Sequence, residues 1–208
     1  MKNVLFTPWV GENYATKGYN GKKILVLGES HYCDDGCKTC GSEKCTITCS
    51  VMERFLEYKQ GKHTFNPKED RWMNTLTRFT NGVTGNQSDV ADFWNSVVFY
   101  NFVQKAMKSR KDKPTKEDFK NSHPAFFEVL EKYQPDIIIV WGNKLWHGMP
   151  GAGIGRHGDT PILDENGGKF YYYKVGNKEI PAYKVNHPAW GGAFSKSIPY
   201  LQEAIKLA

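Results

Sequence analysis

The stretch "KILVLGESHYCDDGC", Lys23 to Cys37, decides how the chain is read. Ile24 to Leu27 form an unbroken apolar run that meets Gly28 and then Glu29, Ser30, His31, Tyr32 and Cys33. An apolar run without polar alternation is the mark of a strand covered on both faces, as in a parallel sheet flanked by helices. The reading is a buried strand over Ile24–Glu29 that ends in a cluster of reactive side chains.

Two further segments repeat the pattern. "SVVFYNF" (96–102) is rich in β-branched and aromatic residues and reaches Asn101, and "PDIIIVWG" (135–142) again runs into glycine. "KFYYYKVGNKEIPAYKVNHPAW" (169–190) predicts a hairpin with Gly176-Asn177 in its turn and a second arm leading to His187. Helices are expected between these strands. One runs over Ser50–Lys59, with Ser50 as N-cap and Glu53 as its capping-box partner. One ends at Gly82, one is opened by Pro124, and one closes the chain from Ser195.

Strands alternating with helices predict a three-layer α/β/α sandwich around a central, mostly parallel, four-stranded sheet. Residues 1–21 read as a lead-in loop, and residues 1–208 as one domain. In such folds ligands bind at the carboxyl ends of the strands. "GESHY", "YN" and "VNHP" would then share one site.

The chain has 208 residues, 39% of them hydrophobic and 24% charged, which excludes general disorder. No apolar run is long enough to span a bilayer, and the amino terminus has no signal-peptide core, so a monomeric cytoplasmic protein without a membrane partner is expected. A net charge of +6 with 14% aromatic residues suits DNA or a nucleotide-containing substrate, although a merely soluble basic protein has the same composition. All five cysteines fall between Cys33 and Cys49, in an expected loop insertion over 33–49. Cys37, Cys40, Cys45 and Cys49 are the expected ligands of a tetrahedral zinc, with Cys33 or His31 as substitutes. An iron–sulfur cluster and free thiols are the alternatives.

"VLGESHY", "VFYNFV", "IIIVWGNKLW" and "VNHPAW", in that order, resemble the motifs of the uracil-DNA glycosylase superfamily. The resemblance spans Ile24 to Phe194. It implies a DNA glycosylase that flips a base and hydrolyses its N-glycosidic bond, with no cofactor needed for the chemistry. Glu29 would orient the water, as in the branches whose first motif begins Gly-Glu. Ser30 stands where the best-known branch has its catalytic aspartate. His187 would stabilise the leaving base, Asn101 would read the base edge, Tyr32 would guard the pocket, and Gly28 and Asn186 would bind the substrate. Trp190, on the Gly-rich loop, would wedge into the base stack, with Phe194 beside it and Lys196 and Ser197 on phosphate. Ala189 stands where serine is usual. Two other readings use the same residues: a nucleic-acid-binding module without catalysis, and a hydrolase acting on a free nucleoside or nucleotide.

Overall fold

The computed structural model describes residues 1–33, 45–66, 68, 70–86, 89–109, 111–151, 156–161 and 169–208. The chain order is β1 (Trp9–Val10), β2 (Ile24–Gly28), α1 (Ile47–Lys59), α2 (Arg71–Thr84), α3 (Val90–Trp94), β3 (Val98–Asn101), α4 (Lys116–Asn121), α5 (His123–Tyr133), β4 (Ile137–Trp141), α6 (Asn143–Gly148), β5 (Arg156–Pro161), β6 (Lys169–Val175), β7 (Lys178–Val185), α7 (Gly191–Ser195) and α8 (Ile198–Leu207).

Among the described residues, the strands form one mixed sheet in the order β1-β3-β2-β4-β7-β6-β5. The pairs β2–β3, β2–β4 and β4–β7 are parallel. Antiparallel strands continue the sheet on both sides, so it is wider than the four strands expected. β1 pairs antiparallel with β3 inside the segment read as a lead-in loop. β5 pairs antiparallel with β6, the first arm of the predicted hairpin. β5 has the sequence "RHGDTP", which carries no apolar periodicity, and the backbone partner supplied by β6 makes it a strand.

Both faces of the parallel strands are covered, which explains their unbroken apolar runs. Leu25 and Leu27 point to a core shared with Val98, Tyr100, Ile138, Val140 and, from α5, Phe126, Val129 and Leu130. Ile24 and Val26 point to a second core with Phe99, Ile139 and Trp141, closed by Phe55 of α1, Phe79 of α2 and Leu201 of α8. Phe79 is the aromatic hub of this second core. Its ring lies 4.9–6.1 Å from those of Trp141, Phe93, Trp94 and Phe194. Truncating such a residue to alanine costs about 3–5 kcal/mol.

Three helix boundaries differ from the sequence reading: the closing helix, expected from Ser195, begins at Ile198, and two others shift. α1 begins at Ile47, so Ser50 lies inside it, and the N-cap position is Thr46. α2 runs past Gly82 to Thr84 and is capped by Gly85 at φ 62°. Gly82 marks a close approach instead of a stop: a Cβ there would lie 2.8 Å from the Phe194 ring.

Candidate active site at the carboxyl ends of the parallel strands

Parallel pairing places the ends of β3, β2, β4 and β7 along one edge of the sheet. Asn101 is in register with Gly28, and Trp141 with Val185. Residues Glu29, Gly142, Asn186 and His187 therefore follow strand ends on the same side.

Beyond β2 the backbone stays tied to the chain beyond β3. Phe102 N–H donates to Gly28 O and Val103 N–H to Glu29 O, both at 2.9 Å. Met107 N–H donates to His31 O at 2.8 Å, and Cys33 N–H donates to Met107 O at 3.0 Å. "GESHY" is thus a fixed continuation of the strand. Glu29 keeps its side chain 20% exposed, and its Oε1 lies 3.7 Å from Lys144 Nζ.

His187 is held from three sides. Its ring meets Trp141 edge-on, with centroids 5.8 Å apart. Gly142, at φ 92° and ψ 158°, gives a turn open to glycine alone. A Cβ at Gly142 would also sit 3.4 Å from His187 Cβ. Ala189 N–H donates to His187 Nδ1 at 3.1 Å. That bond makes Nδ1 the acceptor, so in the neutral ring the hydrogen is on Nε2. Burial lowers the pKa below its ordinary value, which favours this neutral form. The loop that follows is braced by Arg78 of α2, whose Nη1–H donates to Pro188 O at 2.5 Å.

Two expected substrate contacts, Asn101 and Asn186, take partners within the protein, and Ser30, expected in catalysis, is shielded. Asn101 is only 9% exposed. Its Oδ1 lies over Gly28, where a Cβ would come within 2.2 Å of it. Its Nδ2 lies 3.3 Å from His31 Nδ1 and 3.2 Å from His31 Nε2. An atom in the ring plane and equidistant from both nitrogens would collide with the carbon between them. The amide therefore sits over the imidazole face, as an N–H···π donor. In this orientation the amide finds its partner within the protein, as buried polar groups do. Asn186 Nδ2 donates to Ala193 O at 3.0 Å and to Ser197 Oγ at 3.1 Å, which makes Asn186 a strut of the following loop. Ser30 Oγ is shielded from solvent and has no hydrogen-bond partner among the described residues.

The aromatic expectations divide. Tyr32 is 43% exposed and Trp190 74% exposed, so both are available to a partner. Phe194 is fully buried and belongs to the core. Ser197, expected on phosphate, is 8% exposed and accepts from Asn186.

In the sequence His31 reads only as a substitute metal ligand. It lies 6% exposed between Thr48, Asn101 and Phe6. Its Nε2 is 2.9 Å from Thr48 Oγ1, and its ring centroid is 4.7 Å from that of Phe6. Burial lowers its pKa from 6.5 to about 4. Lys144 was also missed. The signal was its position in "WGNKLW", two residues beyond the glycine that ends a strand.

Of the expected zinc ligands, Cys37 and Cys40 lie outside the described residues. Cys45 is buried and pairs through its backbone with Leu5 and Thr7. Cys49 is half-buried in the first turn of α1, with Sγ 3.7 Å from Pro8 O, and burial followed by the Glu53 charge raises its thiol pKa. Among the described residues, no group of three or more His, Cys, Asp or Glu could hold a metal ion. No helix among them is long and apolar enough to cross a membrane.

No protein-family model matches the chain, and none of the curated proteins matches it.

Proposed function

We propose that the chain is a uracil-DNA glycosylase-like enzyme that hydrolyses the N-glycosidic bond of a flipped deoxynucleotide. The observation that carries this reading is the placement of a largely buried carboxylate, Glu29, and a neutral imidazole donor, His187, at the same end of β2 and β7, the two parallel strands that flank β4. The four mutually parallel strands β3-β2-β4-β7, with helices on both faces, support the same assignment.

As the C1′–N bond breaks, the sugar becomes cation-like and the base leaves with the electron pair. Glu29 orients the attacking water and offsets the sugar's positive charge. His187 donates its Nε2–H to the base as negative charge develops there. A neutral donor suits this role because it need not lose a full proton. Tyr32 supplies an exposed ring against the extruded base, and Trp190 an exposed ring for the stack it leaves.

The test is base release from single-stranded and duplex oligonucleotides carrying uracil, hypoxanthine or 5-modified pyrimidines, read as alkali-labile sites. Wild-type protein releases a base from at least one of them. Glu29→Gln and His187→Ala each lower the rate about a hundredfold or more, with the fold retained. Unchanged rates in both variants would refute the mechanism.

The inward orientation of Asn101 favours a second reading, a nucleic-acid-binding module without chemistry. Salt-dependent binding without product on any substrate would select it. A zinc held by Cys37, Cys40, Cys45 and Cys49 belongs to either reading as a structural clip beside the site. Metal analysis of the purified protein tests it, with loss expected in Cys45→Ser.

A further inference from the structure

Lys144 places a primary amine beside the proposed catalytic carboxylate. It lies in the first turn of α6, two residues beyond Gly142, which itself packs against His187. Its Nζ is 3.7 Å from Glu29 Oε1, and its side chain is 44% exposed. Nζ also sits 5.7 Å from the centroid of the buried Phe119 ring, within cation–π range. At 3.7 Å the ammonium and carboxylate attract one another, but the separation exceeds a hydrogen bond, so no amine proton is locked on the carboxylate. The neighbouring Lys184 differs: its Nζ donates to Asn143 Oδ1 at 2.8 Å.

An amine and a carboxylate side by side are the two groups that imine chemistry on a sugar aldehyde requires. Resting on the glycosylase reading, we propose that Lys144 attacks the abasic product and makes the protein a strand-cleaving lyase as well as a base-releasing hydrolase. The abasic deoxyribose opens to an aldehyde at C1′. Neutral Lys144, having given a proton to Glu29 or to solvent, forms a C1′–N bond; that proton and one from the nitrogen pass to the carbonyl oxygen, which leaves as water, and Glu29 is a carboxylate again. The resulting iminium acidifies C2′–H. Glu29 takes that proton, the C–H electron pair becomes the C2′=C3′ bond, and the C3′–O bond breaks, releasing the downstream strand as a phosphate monoester. Water then hydrolyses the iminium and restores the amine. No oxidant or reductant is consumed.

The test uses the full chain and an oligonucleotide carrying a preformed abasic site, so that no base has to be released first. Borohydride added to the mixture reduces an iminium to a stable protein–DNA adduct. Wild-type protein is expected to give an adduct whose mass maps to Lys144, together with strand cleavage in the absence of borohydride. Lys144→Arg keeps the positive charge but cannot form this imine, and it should reduce the adduct at least tenfold while retaining DNA binding. Lys184→Ala should leave the adduct unchanged. Absence of adduct in the wild type, an equal yield in Lys144→Arg, or mapping to Lys184 would each overturn the proposal. Base release is read separately on an intact oligonucleotide, so trapping without base release would sink the glycosylase reading and leave the lyase chemistry standing.

Discussion

Substituting Gly28 by alanine tests the packing on which the site is built. A Cβ there would lie 2.2 Å from Asn101 Oδ1 and 3.3 Å from its Cγ, while the next neighbour, Phe99 Cζ, is at an ordinary 3.4 Å. The clash is therefore with one side chain alone. To relieve it, the carboxamide must leave its rotamer and lift off the His31 ring. Overpacking of this kind costs about 1–3 kcal/mol, and a buried amide left without its partner adds about 1–3 kcal/mol. A loss of about 2–6 kcal/mol is expected for Gly28→Ala on those two terms. In an Asn101→Ala background the obstacle is gone. Gly28 is not among the glycines at positive φ, so alanine then restricts only the unfolded chain and stabilises by about 0.4–1 kcal/mol. The same substitution thus changes sign with its neighbour. Urea unfolding of the two single variants and the double variant measures the coupling. Additive effects would refute the account, because they would mean that Asn101 does not occupy the space above Gly28.

Other outcomes follow from the same geometry. His31 has a folded pKa of about 4 against an ordinary 6.5. The unfolded chain binds this proton first, so the native state loses stability as pH falls from 6.5 towards 4, by roughly 3 kcal/mol in all, and no further below that. His31→Gln should flatten the stability curve over that window, and parallel curves for variant and wild type would exclude the buried neutral ring. His187 needs its neutral form to act as described, and its pKa lies below the ordinary value. The acid limb of base release should therefore fall below pH 6.5, and a limb at or above 6.5 would contradict the role. Trp190→Ala should leave urea stability within about 0.5 kcal/mol, since the ring is 74% exposed. The same variant should weaken oligonucleotide binding by about 1–3 kcal/mol, measured by fluorescence anisotropy. Thr115→Ala removes the capping box of α4, in which Thr115 Oγ1 accepts from Asp118 N–H and Asp118 accepts from Thr115 N–H. It should cost about 1 kcal/mol in thermal or urea unfolding.

The sequence by itself determined the parallel strands β2, β3 and β4 and the side of the sheet on which the candidate site lies. An unbroken apolar run that stops at a glycine or a polar residue is a local signal, because a strand covered on both faces needs apolar residues at every position. Glu29 was legible because it follows such a run and its glycine, and His187 because the second arm of the predicted hairpin leads to it. The Gly176-Asn177 hairpin turn was legible from its turn chemistry.

Only the tertiary structure decided the rest. β5 has no apolar pattern and exists because β6 offers it a partner. Gly82 reads as a helix stop, yet the Phe194 ring needs its missing side chain. Asn101 reads as a substrate contact, yet it turns inward over Gly28 and His31. Lys144 stands 115 residues beyond Glu29 in the chain and meets it only because β4 lies beside β2. Contacts between distant segments depend on strand order and side-chain rotamers, and neither leaves a periodic trace along the chain.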